Sequence, residues 1–452
     1  MESNTSENDI LLLLDSFSDA GKNLYRSLQL AGYTFTTVVL EENGFLPEGA
    51  ESVYGYFLGD FSKSLSASGN PLEFNQVPVP ESWQIRGTLP QGEIRDNSGK
   101  RGRIFYAKPE NKRMVQRVEW LDENGIPRSV DHYNSKGALY ARTTCDAEGK
   151  PVSKTYFSVN GQEKIVENFE TNDVTLNDVG EAHVFHGKID FALYMIKQAG
   201  LSECTVCYNS LSTPFFISEK LRHGEKRHIL FWQEPKRDEI PGNMKYIFLK
   251  KDCQTKAVYV QRNDAYEKLI ELGAEKKMLH KLGFIYSFQR ENAYGQNVLI
   301  CTNSDQIEQL QKLVEALPEL HFHIAAVTEM SPKLMAFQNY ENATLYPNVK
   351  DKQLDSLFAE CDWYFDINHA EEIVSAVERA FLNNQMIFAF QETVHRPEYT
   401  AKEYIYPASE ADRLISQAKA SIYGATLTDI HLLKQKETAT VENVNAYQQL
   451  FA

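Results

Sequence analysis

Apolar positions first run unbroken at Ile10-Leu-Leu-Leu-Leu14, the pattern of a strand covered on both faces of a parallel sheet. Asp15, Ser16, Ser18 and Asp19 follow, and their side-chain oxygens suit the free amides of a first helical turn. Leu24, Leu28 and Ala31 then recur at helical spacing up to Gly32, which stops the helix. Thr36 to Leu40 supplies the next β-branched strand. The opening is therefore βαβ. Its first turn, Asp15-Ser16-Phe17-Ser18, lacks the G-x-G-x-x-G of a dinucleotide fingerprint.

From about residue 86 the period falls to two. Gly125, Gly137, Gly149 and Gly161 stand twelve residues apart, and the first three close the similar turns Asp122-Glu-Asn-Gly125, Asn134-Ser-Lys-Gly137 and Asp146-Ala-Glu-Gly149. Asp and Asn start turns, and Gly accepts the positive φ that turns require. About eight residues per repeat remain for a strand, close to ordinary strand length. The pattern predicts an antiparallel meander of about five strands, which either covers the larger core or docks another molecule. Trp120, Tyr133, Tyr140, Tyr156 and Phe157 are its candidate partner-facing aromatics.

Helix-strand alternation resumes near Val184. Helix is predicted over Ile189 to Ala199 and Asp264 to Leu272, and strand over Cys204 to Tyr208, Ile229 to Trp232 and Lys256 to Val260. A second α/β unit follows with strands Asn297 to Cys301, His321 to Val327, Trp363 to Ile367 and Met386 to Phe390. Its predicted helices are Ile307 to Ala316, Asp351 to Ala359 and Glu371 to Leu382, and a terminal helix is placed at Val441 to Leu450. Sequential βαβ units give parallel sheets with right-handed crossovers. The expected fold is α/β, with two Rossmann-like lobes facing a cleft and an inserted β-meander. The domains are lobe I in residues 1–85 and 181–290, the meander in 86–180, lobe II in 291–430 and a tail in 431–452.

Composition narrows the function. The 452 residues suit about three domains, and 42% hydrophobic with 24% charged residues is globular composition. A net charge of -15 excludes a general nucleic-acid binder. No apolar run approaches the roughly 20 residues of a membrane span, and Met1-Glu-Ser-Asn4 lacks the regions of a secretory signal. Six dispersed cysteines fit a reducing cytoplasm better than a disulfide framework. Eight Lys and Arg between Arg95 and Arg117 face only Asp96 and Glu110, so that stretch is either a solvated loop or a contact surface for an acidic partner.

Metal and redox motifs are weak. Cys204-Thr-Val-Cys207 lies in a predicted strand without a second C-x-x-C, and positions three apart on a strand point to opposite faces. His183 with His186, and His321 with His323, have no third ligand nearby. No metal or other cofactor is therefore expected. In Phe231-Trp-Gln-Glu-Pro235, Trp232 reads as packing, whereas Glu234 is placed to reach a ligand at a strand end.

The stretches Tyr208-Asn-Ser-Leu-Ser-Thr-Pro-Phe-Phe-Ile-Ser-Glu-Lys-Leu221, Phe231 to Pro235, Asp238-Glu-Ile-Pro-Gly-Asn-Met244 and Leu282-Gly-Phe-Ile-Tyr286 carry a closer likeness. The chain resembles the glycosyltransferase-stabilising subunit of the accessory Sec system of Gram-positive bacteria, whose lobes have the GT-B plan. The resemblance implies a cytoplasmic, non-catalytic partner of an O-GlcNAc transferase homologue, with peripheral association at the inner face of the membrane. It also implies binding of a serine/threonine-rich adhesin polypeptide. With the fold geometry it points to a groove of Asn209, Ser210, Ser212, Thr213, Glu234, Asn368 and Glu371.

Active enzymes of the related class carry roughly E-G-F-G-x-x-x-x-E in the second lobe. Here Ala370-Glu371-Glu372-Ile373 leads to Glu378, without the glycines and with two carboxylates where a diphosphate would arrive. Thr302-Asn-Ser-Asp-Gln306 replaces the basic G-R-x-x-x-x-K segment after the lobe's first strand. Two other readings stay open: an active GT-B transferase with nonstandard donor contacts through Glu371 and Glu378, and a freestanding peptide- or carbohydrate-binding module.

Overall fold

Leu11 to Leu14 are fully buried because a parallel strand lies on each side of them. Leu12 pairs with Cys207 on one side and with Thr37 on the other. The sheet around them has seven strands, in the order Leu279–Lys281, Thr255–Val260, His228–Trp232, Thr205–Tyr208, Ile10–Leu14, Thr36–Val39 and Ala50–Ser52. After the first strand, the Ser18 hydroxyl accepts the Gly21 amide at 3.2 Å and starts the helix Asp19–Leu30. Gly32, at φ 84°, ends it in a conformation that a Cβ would strain. The computed structural model describes residues 10–59, 69–88, 90–178, 180–222 and 226–451. The chain divides into two compact units, residues 1–282 with 444–452 and residues 283–443. The last segment belongs to the first unit because Tyr447 is fully buried there: its carbonyl accepts the Tyr33 hydroxyl at 2.7 Å, and its ring hydroxyl accepts Gln261 at 3.4 Å.

The inserted antiparallel sheet has ten strands in consecutive order, from Gln84–Arg86 to Glu181–His186, where the glycine repeat predicts about five. The repeat identifies only hairpins closed by one turn chemistry. At the turn of Asp122, its carboxylate accepts Asn124 N at 2.9 Å and Ile126 N at 3.0 Å, and Gly125 sits at φ 80°. Asn134 and Asp146 repeat that arrangement in the next two turns. The outer strands turn differently and so carry no repeat.

The sheet buries different faces at its two ends. Tyr140, Tyr156, Ile165, Val174 and Leu176 join the core of the seven-stranded sheet. Ile94, Ile104, Val115 and Val118 form a separate small core with Val77 and its neighbours. Five of the eight basic residues between Arg95 and Arg117 are engaged within the sheet. Arg95 and Lys100 pair with Glu93, Arg101 with Asp96 at 2.6 Å and Arg103 with Glu119 at 3.0 Å, while Arg117 stacks 3.9 Å from the Phe105 ring centroid.

The second unit has a six-stranded parallel sheet ordered Ala343–Tyr346, His321–Ala326, Asn297–Thr302, Trp363–Asp366, Met386–Phe390 and Ile405–Tyr406. The α/β class with two Rossmann-like sheets and an inserted antiparallel sheet is thus the one that the sequence pattern predicts. Three helices differ from expectation. The first starts at Leu310 rather than Ile307, because Gln309 has a left-handed backbone. Another starts at Ala376 rather than Glu371, because Val374 and Ser375 lie at φ 49° and 51°. The terminal helix of Val441 to Leu450 is replaced by helices Ala425–Thr438 and Val444–Tyr447.

Gly283, in the Leu282-Gly-Phe-Ile-Tyr286 motif, lets two segments meet: Phe284 N donates to Thr440 O and Glu442 N to Phe284 O, each at 2.8 Å. A Cβ at Gly283 would stand 1.7 Å from the Thr440 carbonyl oxygen. Gly283→Ala is expected to cost about 2 to 3 kcal/mol, since backbone rather than a flexible side chain must yield. A urea midpoint equal to that of the parent protein would refute this.

Candidate functional site

In open parallel sheets, ligands meet the carboxyl ends of strands where the strand order reverses direction. In the first unit that point lies between Ile10–Leu14 and Thr205–Tyr208. It is stitched by side chains. Asn209 Oδ1 accepts Asp15 N at 3.0 Å, and Asn209 Nδ2 donates to Gln233 Oε1 at 3.1 Å. Gln233 Nε2 donates in turn to Ala20 O at 3.0 Å and to Gln261 Oε1 at 2.7 Å. The Ser212 hydroxyl donates to Asp15 Oδ2 at 2.7 Å and lies 2.8 Å from the Ser210 hydroxyl.

Asn209, Ser210 and Ser212 are therefore brought together, with Thr213 opening the adjoining helix Thr213–Lys220. Glu234 is turned to its own loop, where it pairs with Arg237. Gln233 and Gln261 were missed by sequence reasoning, although a signal existed. Strands ending at Tyr208, Trp232 and Val260 are each followed at once by an amide residue, Asn209, Gln233 or Gln261. Such residues satisfy strand-end backbone with both a donor and an acceptor.

The second unit repeats the device. Its reversal lies between Asn297–Thr302 and Trp363–Asp366, and Thr302 Oγ1 donates to Asn368 Oδ1 at 2.7 Å in full burial. Asn368 Nδ2 donates to Ala370 O at 3.1 Å and so holds the following loop. Glu371 is exposed on that loop. Glu372 is not free to repel an incoming anion, contrary to the reading of two open carboxylates. Its Oε1 accepts Val377 N at 3.0 Å in the first turn of Ala376–Leu382, and its Oε2 accepts Arg396 Nε at 2.8 Å. Both of those side chains are 14% exposed. Glu378 is buried on the same turn.

Beside them, His395 Nδ1 lies 2.5 Å from Asp366 Oδ1, and Nε2 lies 2.6 Å from Ala370 O. Both acceptors call for a protonated nitrogen, so the imidazolium fits. Burial alone would depress its pKa. The hydrogen bond and charge of Asp366, the Ala370 carbonyl and the charge of Glu372 outweigh that and raise it to about 9.

The remaining candidates have ordinary roles. His186 lies 3.0 Å from Asp173, His321 2.8 Å from Thr344 and His323 2.9 Å from the Tyr346 hydroxyl. Cys204 and Cys207 are buried, and Trp232 is core. Among the described residues no cluster of metal-ligating side chains occurs.

The partner-facing aromatics divide. Tyr133, Tyr140 and Tyr156 point inward and are buried, and Tyr156 stacks on Tyr54 at 4.3 Å, so these three do not form a docking surface. Trp120 and Phe157 remain partly exposed, with Trp120 Nε1 donating to Asp131 at 2.8 Å.

A raised histidine pKa adds stability that is complete below the unfolded value of about 6.5 and is lost as pH rises through about 9. Unfolding free energy is expected to fall by about 2 kcal/mol between pH 7 and 10, allowing for solvent screening. His395→Gln should flatten that part of the profile. An unchanged profile in denaturant titrations would refute the assignment.

Comparison with known proteins agrees with this architecture. The GtfB N-terminal domain matches residues 11–57, the GtfB middle domain 83–186, the GtfB third domain 188–272 and the GftB/GlyA-F C-terminal domain 298–435. The UDP-N-acetylglucosamine--peptide N-acetylglucosaminyltransferase stabilizing protein GtfB of Streptococcus agalactiae is 40% identical, over 98% of each chain. Its Streptococcus gordonii counterpart is 38% identical, over 97% of this chain and 98% of that protein. A chain in the crystal structure of the GtfA/B complex bound to UDP and GlcNAc superposes with a TM-score of 0.89 at 38% identity, over 97% of this chain and 98% of that one. Likeness at this identity over almost the whole length places the chain in the family of GtfB transferase-stabilizing proteins.

Proposed function

We propose that this chain is the non-catalytic subunit of a protein O-GlcNAc transferase assembly. It stabilises a catalytic homologue and holds a serine/threonine-rich adhesin polypeptide for it. The reading places the assembly in the cytoplasm, at the inner face of the membrane, in service of accessory Sec export. Among the described residues no helix is long and apolar enough to cross a membrane, so attachment would be peripheral.

The observation that carries the non-catalytic part is Glu372. A helix N-terminus offers free amides to a phosphate, but here the chain's own carboxylate takes the Val377 amide, and Arg396 neutralises it. The active-transferase alternative would have to displace both contacts, and it would rely on Glu378, which is buried. Thr302 at the end of the unit's first strand is likewise committed to Asn368.

For the partner, the outer face of the inserted sheet is suited. Register aligns Arg142, Thr155, Val166, Thr175 and Val184 in one row, and Val184 is 58% exposed. Among the described residues the strand Glu181–His186 is paired on one side only, which leaves a backbone edge for another chain. Of the candidate acceptor contacts, Ser210 and Thr213 in the first unit are half-buried, and Glu371 in the second is exposed. Asn209 and Asn368 would position their loops, because their amides are already engaged.

Thr155→Arg with Val166→Glu is expected to abolish co-elution with the transferase at an unchanged melting temperature. Retained co-elution would move docking off this face. Calorimetry of the isolated protein with millimolar UDP-GlcNAc should give no saturable heat. Release of UDP by the purified chain alone would overturn the non-catalytic reading.

A further inference from the structure

Seven Lys and Arg stand against three acids in residues 219–227 and 245–252, a local excess in a chain whose net charge is -15. Each segment carries the end of a helix, Thr213–Lys220 or Gly242–Leu249, toward the strand that follows, His228–Trp232 or Thr255–Val260. The two segments are laced together. Lys226 Nζ donates to Lys250 O at 3.0 Å, and the amides of Arg227 and His228 donate to Gln254 O at 3.1 and 3.0 Å. Glu219 Oε1 accepts Gln254 N at 3.0 Å. They therefore form one face at the amino ends of the parallel strands. Asn209 and Gln233, which follow the carboxyl ends, lie at the other end of the same sheet.

Leu249 stands in this face with 79% of its surface exposed, more than any other large apolar side chain among the described residues. Lys250 and Lys251 directly after it, and Arg222 in the other segment, are exposed as well. Of the acids, Glu219 is turned toward Cys253 and Gln254, and Asp252 is exposed.

A helix C-terminus draws a cation or two, but that preference gives no reason for an exposed leucine among them. Basic side chains around a protruding apolar one are the chemistry of attachment to an anionic bilayer. The cations meet headgroup phosphates, and the leucine enters the acyl boundary without needing a shaped pocket. A folded acidic partner would instead have to offer a recess for Leu249. The acidic remainder of the chain is repelled by the same lipid surface, so charge selects the orientation too.

We infer that this face binds the anionic inner leaflet of the membrane, with Leu249 inserted and Arg222, Lys250 and Lys251 on the headgroups. The inference rests on the peripheral attachment in the proposed function and names the surface that makes it. The candidate acceptor contacts Ser210 and Thr213 follow a carboxyl strand end, so lipid at the amino ends leaves them uncovered.

The test is sedimentation of the full-length chain with vesicles of phosphatidylcholine alone, or of equal parts phosphatidylcholine and phosphatidylglycerol. The chain should bind the anionic vesicles and not the neutral ones, and raised salt should release it. Leu249→Ser should weaken binding about tenfold, and Lys250→Ser with Lys251→Ser about thirtyfold. All three positions are exposed, so melting temperatures should not change. No binding to anionic vesicles overturns the inference, and so does binding that both variants retain. Binding to soluble polyglutamate without binding to vesicles overturns it in favour of an acidic polypeptide partner. Vesicle binding that both variants lose supports the face even where the native assembly is recovered in the soluble fraction. That recovery counts instead against the membrane placement in the proposed function.

Discussion

Backbone amides at the carboxyl ends of parallel strands, and at the helix N-termini that follow them, need partners, and this constraint organises both Rossmann-like units. In open α/β sheets a ligand commonly meets such positions. Here side chains do so. Asn209 accepts the Asp15 amide in the first unit, while in the second Glu372 holds the Val377 amide. Each contact is worth only about 1 kcal/mol in isolation, but leaving the same buried group unpaired costs up to about 3. A folded, satisfied strand end is therefore also one in which ligand chemistry has to compete with the chain itself.

The second unit adds charge to that competition. Glu372 would be costly so close to Asp366 without the guanidinium of Arg396 and the imidazolium of His395. The four side chains form a compact set with its own charge balance, and its guanidinium is used internally rather than offered to a leaving diphosphate. Stability of the loop and loss of donor chemistry thus share one physical cause.

The inserted sheet extends this logic to surfaces. Ten strands cannot all lie over one core, so one end buries Tyr140 and Tyr156 against the seven-stranded sheet, and the other buries Val118 and Ile104 on the opposite face. That exchange of faces leaves the β-branched row through Thr155 and Val166 uncovered. It also roofs a cavity lined by Lys154, Tyr156 and Glu167. The exposed row and the cavity lie on the two sides of one folded layer.

Local rules made much of this legible in the sequence. The apolar run at Ile10 to Leu14, the cap at Ser18, the twelve-residue turn repeat and the strand-helix alternation depend on neighbours a few residues apart, and each appears in the structure. The missing glycines after Ala370 were visible too. Side-chain direction across long separations was not. An aromatic residue in a two-residue period reads the same on either face, so Tyr133, Tyr140 and Tyr156 looked like docking residues until the register turned them inward. Asn209 looked like a ligand contact because its partner Asp15 is 194 residues away, and Glu372 looked free because Arg396 is 24 residues away. By itself the sequence determined the elements, their alternation and the residue types at strand ends. Only the tertiary structure decided which polar groups were already paired, because hydrogen bonds between distant strand ends exist only once the sheet order is set.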